Sequence, residues 1–339
     1  MTSAGGGSAE GAVRIALIRD AHVFTSDPGA WDAVVESDPH GTVFHTAAFL
    51  GSWWERFGSG APLIAMVTAR DTTVGACGFE VVDRELRFLG GFDVTDYMGP
   101  VAAPGWSDAV ADEVLAAILS EPSWDRADLR GLPADSPWPD ALMRAARACG
   151  LRVECSVDGR APMIPLSGSF QDYLDGLPSK TRHELRRKER RLQGLDDGWS
   201  VRFRTHETLP SDLQEFFRLH RASPGRKGTF MDHDMEAFFR GLAERLGPAG
   251  QWYLGLLEMA GAPAAAAVGF AYRGTVSLYN SAFDRSLARW APGIVLVSHV
   301  IRMACERGST RMDLLTGDLP YKYRFGATGR PVNRLRIER

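Results

Sequence analysis

Cysteine is scarce in this 339-residue chain: only Cys77, Cys149, Cys155 and Cys305 are present. None forms a C-x-x-C pair and no histidine stands at ligand spacing from them, so neither a zinc site nor a disulfide framework has a basis. They read as buried or free thiols of a reducing compartment. No apolar run reaches the ~18 residues that span a bilayer. The start, MTSAGGGSAEGA, has neither the basic nor the apolar region of a signal peptide, and residues 1–12 are expected to be a disordered tail. A basic excess is missing as well, since 39 Lys and Arg face 42 Asp and Glu for a net charge of −3. That excludes a general affinity for DNA or membranes. These absences point to a cytoplasmic protein with no metal and no membrane span.

What is there suits a soluble globule, with 45% hydrophobic and 24% charged residues. The length exceeds one ordinary core and implies two domains. A β-rich start, Val13 to Ile18, is followed by helices near Ala30–Glu36 and Ala47–Phe57. The β-rich segments PLIAMVTA, TVGACGFEVV and ELRFLG come next, then a helix over Ser107–Leu119 and the strand RADLRGL. A further helix, Pro139–Ala148, leads to LRVECSV. The second half repeats the order: WSVRFRT, the helical LPSDLQEFFRLHRA and DHDMEAFFRGLAERLG, three strands (QWYLGLLEM, APAAAAVGFAY, TVSLYNSAF), the helix PGIVLVSHVIRMACERG, and TRMDLL. Each half thus reads β-α-α-β-β-β-α-β. The end, VNRLRIE, alternates like an edge strand.

At the junction lies LPSKTRHELRRKERRLQ. From Lys180 to Arg191 it carries seven basic residues and two glutamates, a local +5 that leaves −8 for the rest. It predicts a helix, with Thr181 and Glu184 at capping-box spacing and Leu177, Leu185, Leu192 and Leu195 along one stripe. Arg182, Arg186 and Arg190 make a line of like charge. This is either a solvated face or a site for phosphate groups on a nucleotide cofactor or an RNA end.

The segment from Val276 to Ala327 carries the chemistry. A strand ending at Asp284 passes through RSLARWAPG into a helix beginning near Gly293. Free amides and the positive end of the macrodipole make such a helix start an anion site. Gly293 permits close approach and Arg289 is near enough to assist. Downstream, MDLLTGDLPYKYRFGATG places Asp313 on an apolar strand and lines up Tyr321, Lys322, Tyr323 and Arg324.

The blocks HTAAFLGSWWERFG, LPSKTRHELRRKERRLQ and SLYNSAFD…APGIVLVSHVIRMACERGSTRMDLLTGDLPYKYRFGA together resemble the CelD/BcsL family of GNAT-type acyltransferases, itself similar to the Fem-type aminoacyltransferases. The resemblance runs from about Val43 to Ala327. It implies a mixed α/β fold of two tandem GNAT-like domains, over residues 13–165 and 166–339. It also implies a pyrophosphate-binding loop from Arg289 to Ile294, with Arg289, Ala291, Gly293 and Ile294 as contacts. The usual loop reads Q/R-x-x-G-x-G/A; here Pro292-Gly293 replaces and displaces the first glycine. Fem-type proteins take their acyl group from aminoacyl-tRNA and carry an F-K-x-x-F-G box, which YKYRFG matches with Lys322 at the lysine.

Either donor, acyl-CoA such as acetyl-CoA or aminoacyl-tRNA, implies attack of a neutral amine on an activated carbonyl. Asp318 and Asp313 are candidates for holding or deprotonating the amine, Lys322 for the oxyanion, and Tyr279 or Tyr321 for protonating the leaving group. Arg186, Arg187 and Arg190 are candidates for donor phosphates, whether of CoA or tRNA. His299 reads as a packing residue. The expected activity is N-acyl transfer from acyl-CoA to a small-molecule amine or amino sugar. The alternatives are an aminoacyl-tRNA-dependent transferase and a non-catalytic accessory of polysaccharide assembly.

Overall fold

The apolar runs PLIAMVTA and WYLGLLEM stand at matching places in the two halves, and both are buried at every position but one. Strands so uniformly apolar lie where both sheet faces are covered. The computed structural model describes residues 13–59, 61–206 and 210–339, so the tail expected at residues 1–12 lies outside the described residues.

Two compact units divide the chain. Unit 1 holds the described residues up to Trp54, then Gly58–Asp158 and Asn333–Arg339; unit 2 holds Glu55–Phe57 and Gly159–Val332. The boundary thus falls seven residues before the one expected from sequence, inside a strand, and the last residues return to unit 1.

The elements up to that boundary are β1 (Val13–Ile18), α1 (Gly29–Ser37), α2 (Ala47–Phe57), β2 (Pro62–Ala69), β3 (Thr72–Val82), β4 (Glu85–Phe88), β5 (Val101–Ala102), α3 (Ser107–Leu119), β6 (Arg126–Pro133), α4 (Trp138–Ala148) and β7 (Arg152–Pro165). After it come α5 (Phe170–Gly176), α6 (Ser179–Gln193), β8 (Trp199–Arg204), α7 (Pro210–Arg221), α8 (Arg226–Phe230), α9 (His233–Leu246), β9 (Trp252–Met259), β10 (Ala262–Tyr272), β11 (Thr275–Phe283), α10 (Pro292–Glu306), β12 (Arg311–Asp313), α11 (Pro320–Tyr323) and β13 (Thr328–Glu338). The doubled order read from sequence is present, with β5, α5, α8 and α11 added to it.

Within unit 1 the strand order is β1-β2-β3-β4-β6, followed by the unit-1 residues of β13 and β7. Within unit 2 it is β12-β11-β10-β9-β8. β4 pairs with β6, and β11 with β12, in parallel. The four hairpins, β2–β3, β3–β4, β9–β10 and β10–β11, all turn on two residues with positive φ: Arg70-Asp71, Asp83-Arg84, Ala260-Gly261 and Arg273-Gly274. Such turns match the twist of the strands they join. In unit 1 they are made without glycine.

Two expectations are corrected. VNRLRIE is not at an edge: Asn333–Glu338 lies between β6 and β7, and its alternation reflects Leu335 and Ile337 entering the unit-1 core. Thr181 and Glu184 form no capping box, because α6 begins two residues earlier, after Pro178, with no side-chain cap. Glu184 pairs instead with Arg187 and Lys188. The leucine stripe is present: Leu177, Leu185 and Leu192 are buried in the unit-2 core, with Leu195 packed against it.

Candidate active site

In unit 2 the strands β11 and β12 part. They pair only from Thr275↔Arg311 to Ser277↔Asp313, where β12 stops. β11 runs on to Phe283, still paired on its other edge with β10 as far as Ala265. A bulge lies where the parting begins: Val268 faces Asn280 and Gly269 faces Leu278, which leaves Tyr279 as the extra residue. Only glycine fits at 269, since a Cβ there would sit 1.9 Å from the Ser277 carbonyl oxygen. Tyr253 fixes that carbonyl by donating its hydroxyl to it at 3.0 Å.

The donor loop expected from sequence lies just past this strand. Residues Arg285–Trp290 form a 3-10 turn, and Ala291 takes a left-handed conformation (φ 53°, ψ 46°) before Pro292 opens α10. That strain in a non-glycine residue is typical of loops that hold ligands. A Cβ on Gly293 would lie 3.2 Å from the Phe283 ring, so glycine lets the helix start close on β11. The Ile294 amide is already bonded to the Ala291 carbonyl. Arg289 lies 5.2 Å over the Trp290 ring. Its carbonyl accepts from Arg191 Nη1 at 2.7 Å; Arg191, a residue not singled out in the sequence, is the contact between the basic helix and this loop.

The arginines that were singled out are elsewhere. Arg187 pairs with Glu184, Arg186 donates to Gln171, and Arg190 is exposed. Arg186 flanks Arg302 and Glu306 near the far end of α10. Gly293 and Arg302 are nine helical residues apart, about 14 Å at 1.5 Å per residue, so Arg186, which lines the same cleft as Arg302, lies toward the other end of α10 from Gly293. His299 does more than pack: its Nε2 donates to Glu189 at 3.0 Å, and its ring meets Trp199 edge-on.

The chain after β12 is held by the polar residues marked in the sequence. Asp313, buried, accepts from the Leu315 amide at 2.8 Å and fixes Leu315 at φ 59°. Lys322, 5% exposed, donates to the Leu315 and Thr316 carbonyls at 2.9 and 2.7 Å. The ammonium expected on an oxyanion is therefore already engaged by main-chain oxygens. Asp318 accepts from the Tyr323 hydroxyl. Tyr279 stacks between Phe239 and Phe270. Tyr321 returns to β11, where the Ser281 side chain hydrogen-bonds its hydroxyl; burial raises its pKa.

A polar cluster around His220 and Asn280, two residues that the sequence did not bring together, sits on the same strand. His220 of α7, 1% exposed, shares a 3.0 Å hydrogen bond between its Nε2 and Asn280 Oδ1, while its buried Nδ1 has no partner. Lys227 of α8 donates to the Ser281 carbonyl. Lys227 is exposed, yet desolvation lowers its pKa. Burial first, then the Lys227 charge, lower the His220 pKa to about 4 against the Asn280 hydrogen bond. The signal was faint: Asn280 is one of several polar residues in TVSLYNSAF, and His220 stands on an apolar helix face.

Residues 179–323 match the family model described as an acetyltransferase (GNAT) domain. That span runs from the start of α6 to the end of α11 and contains every site residue named above. No curated protein matches the sequence. Among solved structures the chain is similar to FemX (TM-score 0.67, 12% identity, 90% of this chain and 94% of that one). A conserved protein of unknown function from Bacteroides thetaiotaomicron is also similar (0.61, 12%, 96% and 100%), as is L-PGS from Bacillus licheniformis (0.59, 14%, 92% and 91%). At such identities the likeness is one of fold. The fold is mixed α/β, and residues 179–323, within the second unit, match an acetyltransferase (GNAT) domain.

Proposed function

We propose that the protein is an N-acyltransferase that takes an acyl group from acyl-CoA and delivers it to the amine of a small molecule or amino sugar, in line with the CelD/BcsL resemblance. The observation that carries this reading is the parting of β11 from β12 in front of the Ala291–Gly293 helix start. It leaves one edge of β11, from Leu278 on, without a strand partner beside a site suited to a pyrophosphate. Arg289, Ala291, Gly293 and Ile294 form the donor loop, with Arg191 supporting it.

The acceptor amine lies by His220 and Asn280. It must be neutral to attack. The burial and the Lys227 charge that keep His220 neutral act in the same sense on a substrate amine, favouring its uncharged form. Asn280, only partly buried, is the group the amine can reach, and the His220 Nε2 hydrogen bond holds its amide in place. Tyr321, kept protonated by burial, gives its proton to the leaving thiolate, and the proton released by the acylated nitrogen restores the tyrosine, so that one proton passes in all from nitrogen to sulfur. Lys322 and Asp313 act as positioning residues that shape the loop carrying Tyr321, and Asp318 steadies that loop through Tyr323.

A second reading has specific support. The likeness to FemX and the basic α6, which touches the donor loop through Arg191, suit an aminoacyl-tRNA donor. Calorimetry against acetyl-CoA, desulfo-CoA and a charged tRNA mixture separates the cases. Micromolar binding of the CoA species with shallow salt dependence supports the first reading; tRNA binding with a steep salt slope supports the second. Binding of neither, by folded protein, leaves a non-catalytic accessory role.

A further inference from the structure

On the opposite end of α10 from the donor loop, unit 2 has a cleft of about 560 Å³ lined by Phe170, Gln171, Arg186, Glu189, Arg302 and Glu306, among others. Its volume is that of a small-molecule site. Two guanidinium groups and two carboxylates face one space, so the charge of the lining sums to zero while both signs are present.

The cationic side is pre-arranged. Arg302 is stacked with its guanidinium carbon 4.3 Å over the Phe170 ring, which fixes the plane of its donor fork. Its Nε is buried with no hydrogen-bond partner, and its Nη2 reaches Glu189 only at 3.5 Å. A buried donor left unpaired is costly, and an acceptor with two oxygens would satisfy the fork. Arg186 is held beside it by Gln171 at 3.2 Å.

The anionic side is equally defined. Glu189 Oε1 is engaged by His299 at 3.0 Å. That hydrogen bond, with Arg302 adding to it, keeps the carboxyl below the usual range and so ionised. Glu306 is exposed at the rim.

We propose that this cleft binds a free α-amino acid in its zwitterionic form, the carboxylate on Arg302 and Arg186 and the ammonium on Glu189 and Glu306. A dianion such as phosphate would meet two carboxylates, and a simple amine two guanidinium groups; only a ligand bearing both charges matches both sides. The site is distinct from the proposed donor loop, because Arg302 lies nine residues, about 14 Å, along α10 from Gly293. It braces α6 against α10 when filled, so its ligand would stiffen the two helices that meet the donor loop.

The test is calorimetry and thermal melting of the full chain with L-alanine, L-glutamate and L-phenylalanine. L-alaninamide, propionate and inorganic phosphate serve as probes that lack one charge or carry the wrong one. At least one amino acid should bind at millimolar affinity or better and raise Tm, with the three control probes about tenfold weaker or more. Arg302→Met should weaken the amino acid at least about tenfold. If Arg302→Met fails to fold, Glu306→Gln, at an exposed position, should weaken the amino acid but not propionate. Gly293→Ala should leave the amino acid affinity unchanged whatever it does to donor binding, which keeps this proposal separate from the donor assignment. Absence of binding by all three amino acids, equal binding of propionate or phosphate, or unchanged affinity in the folded variants would overturn it.

Discussion

The two units use one strand plan to opposite ends. β2 and β9 have the same burial pattern residue for residue, and so do β3 and β10. Their hairpins have the same two-residue turns. They diverge at the next strand. β4 has four residues and β11 has nine. In unit 1 the chain after β4 folds back into the place where β4 and β6 would part. Leu89 donates to Gly78 of β3, Met98 donates to Gly131 of β6, and Thr95, Tyr97 and Met98 are buried there. In unit 2 β11 simply continues, bulges and leaves its edge without a strand partner. The same strand plan thus gives a filled parting in unit 1 and, among the described residues, a strand edge without a strand partner in unit 2.

The largest effect should come at the bulge. Gly269→Ala drives a Cβ against backbone, 1.9 Å from the Ser277 oxygen. It should cost ~3 kcal/mol or more in urea unfolding, at the upper end of overpacking penalties, and abolish donor binding. Gly78→Ala in unit 1 meets the movable Leu89 side chain at 2.7 Å and should cost less, about 1–2 kcal/mol, with donor binding kept. Equal costs would mean that the bulge is no more constrained than an ordinary glycine of β3.

Lys322→Ala removes a buried cation from two carbonyls and should lower stability by ~1.5–3 kcal/mol. If Lys322 is a positioning residue, KM and Tm move along with kcat. A loss confined to kcat, with Tm intact, would return it to the chemical step.

Gly293→Ala should raise donor Kd by about tenfold, ~1.4 kcal/mol, while the helix itself gains stability. Ser107→Ala, at the start of α3 in unit 1, should leave donor Kd unchanged. A matching effect from Ser107 would place a donor site in unit 1.

Each unit also buries a histidine. Burial lowers the pKa of His45 and of His220 from 6.5 to about 4. Between those values the unfolded chain takes up protons that the folded chain refuses, so stability falls as pH drops from about 6.5 toward 4. His220→Phe should flatten that slope by about one proton, ~1.4 kcal/mol per pH unit. His45 Nδ1 is engaged by Thr42, whereas His220 Nε2 holds the Asn280 amide, so only the His220 variant should also raise the acceptor KM. The smallest effect is expected at the surface: Arg187→Gln breaks an exposed pair with Glu184 and should change stability by less than ~0.5 kcal/mol and donor affinity not at all.

Periodicity alone was enough to read the doubled element order, the course of α6 and the placement of α10, because these depend on which residues are apolar and at what spacing. Pro292-Gly293 marked a helix start by local backbone chemistry, and its match in the structure is close. What pairing decides was not legible. VNRLRIE alternates as an edge strand would, and only its neighbours β6 and β7 place it inside the sheet. Lys322 looked like a cation free for chemistry, yet Leu315 and Thr316 turn their carbonyls onto it after β12 ends. His220 and Asn280 are 60 residues apart, and no spacing rule joins them; α7 packing on β11 does. A sequence carries its local periods openly, but the partner of a polar group is set by whichever distant segment desolvates it, and that is decided only when the sheet is assembled.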